Sequence, residues 1–324
     1  MYNQKSKVII YGLGTEYEES KYFLESTFDI LAYTDRDKSK YLKYNKGIPP
    51  EKINDYLFEY IYVTSQKHFD NIKNDLIYKY EVKKEKILNI KDMWWYVHNP
   101  DARDEWIINK IKEIPLGLSL LDVGAGNMPY KKYCNHLNYI SQDFGEYDDS
   151  KDEEGLQIEK WSSQKCDIIS DILDIPVAGK SIDVILCSEV FEHIEDPIRA
   201  LQEFARIIKK NGILLLTAPF CSLTHMAPYY YTNGFSKYWY KTHLQKSDFE
   251  ILEIVPYGNW FTYMAQEFER FSYVAQRYGK KLEPSINKQV VEIVRSLIMQ
   301  NLESGGDKSS EILCHGYMIK ARRV

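Results

Sequence analysis

The amino-acid sequence predicts an α/β protein whose main sheet is mostly parallel. Strand-like segments alternate with helical segments along the chain, and each strand is short and almost wholly apolar, as in Ile213-Leu-Leu-Leu-Thr-Ala-Pro219. Strands that are apolar on both faces are typical of parallel sheets that helices cover on both sides. Several of these strands also end in an acid or in a glycine turn, and such sheets bind their ligands over the carboxyl ends of the strands.

The first strand of the main series leads into a glycine turn. Its sequence, Leu120-Leu-Asp-Val-Gly-Ala-Gly-Asn127, places an acid and two closely spaced glycines after an apolar run. This predicts a buried strand and a turn where the backbone approaches a ligand closely. The second strand starts at Tyr139 and ends at Asp143, roughly twenty residues after the turn, where nucleotide-binding α/β folds hold ribose hydroxyls. A Gly-x-Gly alone is a weak signal, and the ordered strand ends that follow give it weight.

Three further strands continue the parallel series. The third ends at Asp171, the fourth runs from Ser181 into the polar loop Ser188-Glu-Val-Phe-Glu-His193, and the fifth covers Ile213–Pro219. The helix between the fourth and fifth strands has Asp196 as a suitable N-cap followed by proline at its first position. We expect this helix to end at Gly212, after two lysines.

Two more strands and a helical insert follow. The segment Phe249–Val255 alternates as a sixth strand, and Ile312–Ala321 is the expected seventh, paired antiparallel at the sheet edge. Between them, aromatic and apolar residues recur at helical spacing, which predicts a helical insert over about 259–303. The insert could be a lid, a membrane-touching surface, a dimer contact or, most simply, extra core.

These motifs, taken in order, resemble those of class I S-adenosylmethionine-dependent methyltransferases from about Trp106 to the C terminus. The resemblance implies a seven-stranded, Rossmann-like methyltransferase sheet, mostly parallel with an antiparallel last strand, and S-adenosylmethionine as the cofactor. A dinucleotide site is disfavoured because Pro129 stands where its third glycine would be. The stretches Pro219–His225 and Gly258–Glu267 resemble a bacterial subgroup linked to surface-polysaccharide biosynthesis.

The resemblance also implies roles for particular residues. The cofactor-binding residues would be Asp122, Gly124, Ala125 and Gly126 beneath the methionine part, Asp143 at the ribose, Asp171 and Ile172 at the adenine, and Ser188 and Glu189 near the sulfonium. The acceptor implied is a small molecule, with a saccharide hydroxyl or a nucleotide-linked sugar as the leading hypothesis. N- or C-methylation of another metabolite and a binding module without turnover are the alternatives.

The segment after the fifth strand carries the candidate catalytic residues. A loop that leaves the carboxyl end of a strand faces the ligand, and a neutral histidine suits removal of a hydroxyl proton near pH 7. His225 is the first candidate for this base, and His193 the second, although His193 could equally hold the fourth-strand loop. Tyr229 and Tyr230 are expected to bind the acceptor, since aromatic faces suit sugar rings. No His, Asp and Glu trio has obvious ligand spacing, so no metal is assigned.

Residues 1–92 predict a second, smaller α/β domain. A strand runs into Gly12 and Gly14, and a second strand ends at Asp35, but Tyr17 occupies the third-glycine position of a dinucleotide site. The domain resembles the Rossmann-like modules at the N termini of sugar-modifying transferases, which can hold a nucleotide-activated sugar. A packing or dimerisation module is equally open. Residues 93–105, with Trp94 and Trp95, are expected to be a linker that packs at the domain interface, and 106–324 form the second domain.

Composition limits the remaining classes. With 324 residues, 44% hydrophobic and 27% charged, the chain is expected to form two ordinary globular domains. The net charge of −5 disfavours a nucleic-acid partner. No apolar run has membrane-spanning length and no signal-peptide pattern opens the chain. The five cysteines are scattered without a CxxC motif, which favours a reduced, cytoplasmic protein, and a homodimer is left open.

Overall fold

The computed structural model of the protein describes residues 6–65, 67–90, 99–147, 155–156, 166–280, 282–283, 286, 289–290, 293–294, 296–298, 300–301 and 307–324. The chain divides into two compact units, one formed by Met1–His98 with Met264–Gly305 and the other by Asn99–Tyr263 with Gly306–Val324. Trp94 and Trp95 of the predicted linker lie outside the described residues. From Asn99 onward that linker segment is helical.

The first unit contains a four-stranded parallel sheet. Its strands are β1 (Lys7–Tyr11), β2 (Asp29–Thr34), β3 (Tyr60–Val63) and β4 (Ile87–Asn89), in the order β2-β1-β3-β4. Its helices are α1 (Thr15–Thr27), α2 (Lys38–Tyr41) and α3 (Phe69–Tyr78). Alternate residues of β1 enter different apolar clusters, Ile9 in one and Val8 in the other, as expected for a sheet buried on both faces. The predicted strand that leads into Gly12 and the predicted strand that ends near Asp35 are both present.

The second unit contains a seven-stranded sheet. Its strands are β5 (Ser119–Val123), β6 (Asn138–Asp143), β7 (Ile168–Ile169), β8 (Ile182–Ser188), β9 (Ile208–Pro219), β10 (Phe249–Tyr257) and β11 (Gly316–Arg323). They lie in the order β10-β11-β9-β8-β5-β6-β7. The pairs among β5 to β9 are parallel, and β11 is antiparallel to both of its neighbours. The seven-stranded, mostly parallel sheet with an antiparallel last strand is thereby confirmed.

Helices cover both faces of this sheet. They are α4 (Asn99–Lys112), α5 (Pro197–Ile207) and α6 (Lys237–Lys246), and α7 (Trp260–Tyr278) begins in this unit. Alternate residues of β5 again enter different clusters, Leu121 with residues of α5 and α6, and Leu120 with Ile107 and Ile111 of α4. Both faces of the central strands are therefore buried. Of the helices that the structure describes, none combines the length and the apolar character needed to cross a membrane.

Two sequence expectations need correction. The seventh strand is not at the sheet edge, because β11 lies between β9 and β10 and leaves β10 outermost. The helix α5 begins as predicted, with the Asp196 side chain accepting the Arg199 N–H at 3.0 Å, but it ends at Ile207 and not at Gly212. Gly212 lies in β9, where an added Cβ would stand 2.8 Å from the Asp183 carbonyl oxygen. Close packing, and not a helix stop, requires this glycine.

The predicted insert is helical in most of the part that the structure describes. Helix α7 covers its first part, and the described residues 286, 289–290, 293–294, 296–298 and 300–301 are also helical. Ala265 packs with Val290, Val294 and Ile298 in a small apolar cluster. Part of the insert therefore forms additional hydrophobic core, which was the simplest of the roles expected for it. Phe271 is 43% exposed and lies outside that cluster.

Candidate active site

The turn after β5 has the backbone geometry that its glycines predict. Gly124 has a φ of +66° and Gly126 a φ of +49°, a left-handed conformation that other residues adopt at a cost. A Cβ on Gly124 would lie 2.5 Å from the Val190 Cγ2 atom, so only glycine fits there. The Ala125 N–H donates to the Gln142 carbonyl at 2.9 Å, which ties the turn to the end of β6.

Asp143 joins the glycine turn to the segment after β6. One carboxylate oxygen accepts the Gly126 N–H at 3.0 Å, and the other accepts the Gly145 N–H at 2.9 Å. A carboxylate offers about four lone-pair sites, so roughly half of its accepting capacity is left for a ligand. Asp143, which the resemblance assigns to the ribose, is partly exposed and lies beside the glycine turn.

Asp122, the acid before the turn, is in a different environment. It is 3% exposed, and the Tyr139 hydroxyl donates to one of its oxygens at 2.6 Å. Burial raises the pKa of the Asp122 carboxyl to about 7 because the charged form loses hydration. The Asp122 carboxyl is thus held by a side chain of the neighbouring strand β6.

The predicted adenine-side residues follow β7. Asp171 is exposed, and its side chain accepts the Leu173 N–H at 2.9 Å, which stabilises the local turn. Ile172 is half-buried and packs against the main apolar core. Both residues lie at the carboxyl end of the strand next to β6.

Glu189, at the end of β8, has three partners. Its carboxylate lies 3.3 Å from an Arg103 guanidinium nitrogen, accepts the Thr217 hydroxyl at 2.9 Å and accepts the Tyr257 hydroxyl at 3.2 Å. The Ser188 hydroxyl lies 3.0 Å from the Thr217 hydroxyl in the same group. Arg103, Thr217 and Tyr257 were not recognised in the sequence. Nothing local marks them, because Arg103 falls in the predicted linker and the other two lie within strands.

The segment after β9 folds back on the loop that follows β8. Its two ends are held together by the Phe235 N–H, which donates to the Pro219 carbonyl at 2.8 Å, and by the Ser222 N–H, which donates to the Asn233 carbonyl at 2.7 Å. Its tip is tied to the fourth-strand loop because the Tyr231 N–H donates to the Glu192 carbonyl at 2.9 Å. We call residues 219–235 the return loop.

The return loop brings both candidate histidines together. The rings of His193 and His225 lie edge to face with centroids 4.8 Å apart, and the Tyr230 ring lies 5.3 Å from that of His225. Tyr229 contacts Phe144 with ring centroids 5.0 Å apart, so the return loop also reaches the residue next to Asp143. His193, His225 and Tyr230 therefore form one group of rings, and the Tyr229 carbonyl contacts this group through the His193 Nδ1 atom. The roles assigned to these residues stay predictions.

A buried glutamate completes this group. Glu192 is 1% exposed, and one of its oxygens lies 3.8 Å from the His193 Nε2 atom. Its other oxygen has no hydrogen-bond partner among the described residues. Burial and the neighbouring charge of Glu189 raise the pKa of Glu192 well above its usual range, whereas burial and His225 lower the pKa of His193 to about 4. Glu192 was not recognised from the sequence, although it directly precedes His193.

Comparison with known families agrees with this geometry. Residues 121–216, which contain the glycine turn, Asp143 and the β8 loop, match the sequence model of a family described as a methyltransferase domain. S-adenosylmethionine is the cofactor that this match indicates. The match covers less than half of the chain, and the separate segment 4–88 matches a family described as C2185-like, N-terminal.

Comparisons with curated proteins and with solved structures give no further information on the function of this chain. A search of curated proteins finds no match to the chain. Structural likenesses include the [4+2]-cyclase SpnF (17% identity, 67% of this chain and 80% of that chain, TM-score 0.41) and an Archaeoglobus fulgidus methyltransferase (16%, 68% and 94%, 0.41). A Mesorhizobium loti methyltransferase gives 13% identity over 70% of this chain and all of that chain, with a TM-score of 0.40. TM-scores this low carry no weight for the function of this chain.

Proposed function

We propose that this protein is a cytoplasmic methyltransferase that acts on a hydroxyl of a saccharide or nucleotide-linked sugar in surface-polysaccharide biosynthesis. The observation that carries the proposal is the return loop, which places His225, Tyr229 and Tyr230 beside His193 at the carboxyl end of the sheet. A cofactor turn and an acceptor-side group thus lie at the same end of the sheet, where α/β folds bind their ligands.

The cofactor side is formed by the ends of β5 and β6. S-adenosylmethionine, when bound, supplies an already activated methyl group. The glycine turn allows close approach of the backbone, and Asp143 retains lone pairs that can accept the two ribose hydroxyls. Asp171 and Ile172 are proposed to border the adenine.

The acceptor side is formed by the return loop. Aromatic faces with polar edges suit a sugar ring, whose C–H faces are apolar and whose rim carries hydroxyls. Tyr229 and Tyr230 are both half-buried, so each keeps a surface that a ligand could cover. The residues need only align the hydroxyl with the methyl group and exclude water.

His225 is proposed to accept the hydroxyl proton. Its Nδ1 atom lies 2.8 Å from the Leu223 carbonyl oxygen, and because a carbonyl can only accept, Nδ1 carries the proton of the neutral ring. The Nε2 atom therefore presents a lone pair that can take a proton, which typically contributes about 10²–10⁴-fold to the rate. Glu189 is a poorer candidate, because its oxygens already have three partners.

The N-terminal unit is proposed to be a Rossmann-like module for a nucleotide-activated sugar. Its glycine turn follows β1, which lies between β2 and β3, the position at which strand order reverses and ligands bind in open parallel sheets. Asp35 is buried and accepts the Leu13 N–H at 2.7 Å, so its role here is to hold the turn. A dimer contact is the other role we propose to test, by measuring the solution mass.

The decisive experiment uses the full-length protein with methyl-labelled S-adenosylmethionine and a panel of nucleotide sugars. Transfer of label to a sugar hydroxyl, located by NMR, would support the proposal. Label found only on nitrogen or carbon acceptors would contradict O-methylation. Tight binding of S-adenosylmethionine without transfer to any acceptor class would favour a binding module instead.

A further inference from the structure

The structure assigns a second function to the group at the return loop. We propose that Glu192, His193 and His225 bind one divalent transition-metal ion, with Zn²⁺ as the best match. One ligand atom from each residue lies within 4.8 Å of the other two, and among the described residues this is the one such group of three. The proposal goes beyond the proposed function, because it holds for any methyl acceptor, and in a chain that has bound the ion it replaces the proposed base role of His225.

Both histidines are held in the form that binds metals. The His193 Nδ1 atom contacts the Tyr229 carbonyl and the His225 Nδ1 atom contacts the Leu223 carbonyl, so each Nδ1 carries the proton and each Nε2 keeps its lone pair. A metal-binding histidine usually donates its other N–H to a carbonyl or carboxylate, which orients the ring. Both carbonyls belong to the return loop, so the same segment supplies one ligand and orients both.

Glu192 provides the second, independent observation. Its carboxyl is almost wholly buried, and its Oε2 atom has no hydrogen-bond partner in the part of the chain that the structure describes. An unpartnered acceptor in the interior has lost its hydration without gaining a hydrogen bond in return, so such groups call for an explanation. A bound cation at this position would compensate that loss, because its positive charge lies within reach of the carboxylate.

The distances fit a site that closes slightly on binding. With Zn–N and Zn–O bonds of about 2.0–2.2 Å, tetrahedral ligand atoms lie roughly 3.3–3.5 Å apart. The Glu192 Oε1 atom is already 3.8 Å from the His193 Nε2 atom, and the widest pair, at up to 4.8 Å, must approach by roughly 1.4 Å. His225 is half-buried on the return loop, where a small side-chain adjustment suffices.

The ligand set favours zinc over the alkaline-earth ions. Ca²⁺ and Mg²⁺ prefer sites made of oxygen ligands, whereas two imidazoles and one carboxylate form a known zinc set with a fourth position left open. An ion bound here would also change the role of His225, because a nitrogen that binds a metal cannot at the same time accept a proton. Metal binding and the base role are therefore alternative uses of the same lone pair.

The test measures metal binding directly and needs no acceptor. Full-length protein without an affinity tag is stripped with a chelator and titrated with Zn²⁺ by calorimetry and with Co²⁺ by visible absorption. We expect one ion per chain, with a tetrahedral Co²⁺ spectrum. His225→Ala and Glu192→Gln should each weaken binding by at least about 10–100-fold, the loss that even an outer partner of a metal ligand causes. His68→Ala, which removes an exposed histidine of the other unit, should bind like wild type.

Three outcomes would overturn the proposal. They are no binding of either ion by wild type at millimolar concentration, wild-type affinity in both ligand variants, and an intense sulfur-to-cobalt absorption, which would assign the ion to one of the five free cysteines. Circular dichroism of each variant establishes that it is folded. Because Glu192→Gln keeps the shape of the side chain and replaces one carboxyl oxygen with an amide nitrogen, it disturbs the interior less than a truncation would. The methyl-transfer assay can fail while this test succeeds, and the reverse, so the two proposals are separable.

Discussion

Replacing Asp143 with alanine should weaken the binding of S-adenosylmethionine and S-adenosylhomocysteine. Each oxygen of this carboxylate accepts one backbone N–H, from Gly126 and from Gly145. About two lone-pair sites then remain, which matches the two ribose hydroxyls. Loss of a charged hydrogen-bond partner costs about 1.5–3 kcal/mol, which corresponds to an increase in Kd of about 10- to 160-fold. Asp143→Asn keeps a single accepting oxygen and should lose less.

Calorimetric titration of both ligands measures this effect. Glu146→Ala is a matched control, because Glu146 is an exposed acid three positions further along the chain and should leave Kd unchanged. The alanine variant also loses the anchor of the Gly126 N–H, so the turn itself could shift. A cofactor analogue without ribose hydroxyls separates the two effects. If Asp143 binds the ribose, the analogue should bind wild type and Asp143→Ala with nearly equal affinity, as in a double-mutant cycle.

Two results would refute this reasoning. Wild-type affinity of Asp143→Ala for S-adenosylhomocysteine would show that the carboxylate does not contact the ligand. An equal loss of affinity for the cofactor and for the analogue would assign the whole effect to the turn. Thermal unfolding of each variant, measured without ligand, establishes that the comparison is made between folded proteins.

Three further predictions concern other residues. Burial raises the pKa of Asp122 to about 7. Between about pH 4 and 7 the Asp122 carboxyl therefore keeps its proton in the native state and has lost it in the unfolded state. For this reason the contribution of Asp122 to the free energy of unfolding falls as pH rises through this window. Between pH 5 and 8 this loss is about 3 kcal/mol, and urea unfolding of Asp122→Asn should show a correspondingly smaller drop than wild type; an identical drop would contradict the assignment. His225→Ala should lower turnover by about 10²-fold or more with cofactor affinity nearly unchanged, whereas His193→Ala should change both if His193 holds the loop; wild-type turnover in both variants would leave no histidine base. The N-terminal unit should not bind NAD, since Tyr17 stands at the third-glycine position and is buried against Tyr33; stoichiometric NAD binding in calorimetry would contradict this.

Much of the fold is determined by local sequence patterns. The mostly apolar runs at Val8–Tyr11 and Leu120–Val123 form strands because both of their faces can be buried. The residue types of these runs are enough to predict the strands. The glycine turn after β5 is also predicted locally, since the left-handed conformation at Gly124 favours glycine. The position of Asp143 near the glycine turn is also predictable, because the carboxyl ends of neighbouring parallel strands such as β5 and β6 are adjacent.

Other features depend on contacts between residues that are distant in sequence. The end of α5 at Ile207 results from pairing of Ile208 with Ile182, which overrides the helix-stop signal at Gly212. The position of β11 inside the sheet is set by its pairing with both β9 and β10. The order of the strands is determined by pairing between segments that are distant in sequence, and no local pattern predicts it.

The candidate site shows the same division. By itself the sequence determined which strand ends carry the glycine turn, Asp143 and the two histidines, because strand periodicity places polar residues at those ends. Only the tertiary structure decided that His225 lies beside His193, since this depends on the return loop folding back through hydrogen bonds such as that from the Tyr231 N–H to the Glu192 carbonyl. It also decided that Glu192 is buried without a partner for one oxygen. Burial and proximity arise from the packing of separate segments, and for that reason linear spacing could not predict them.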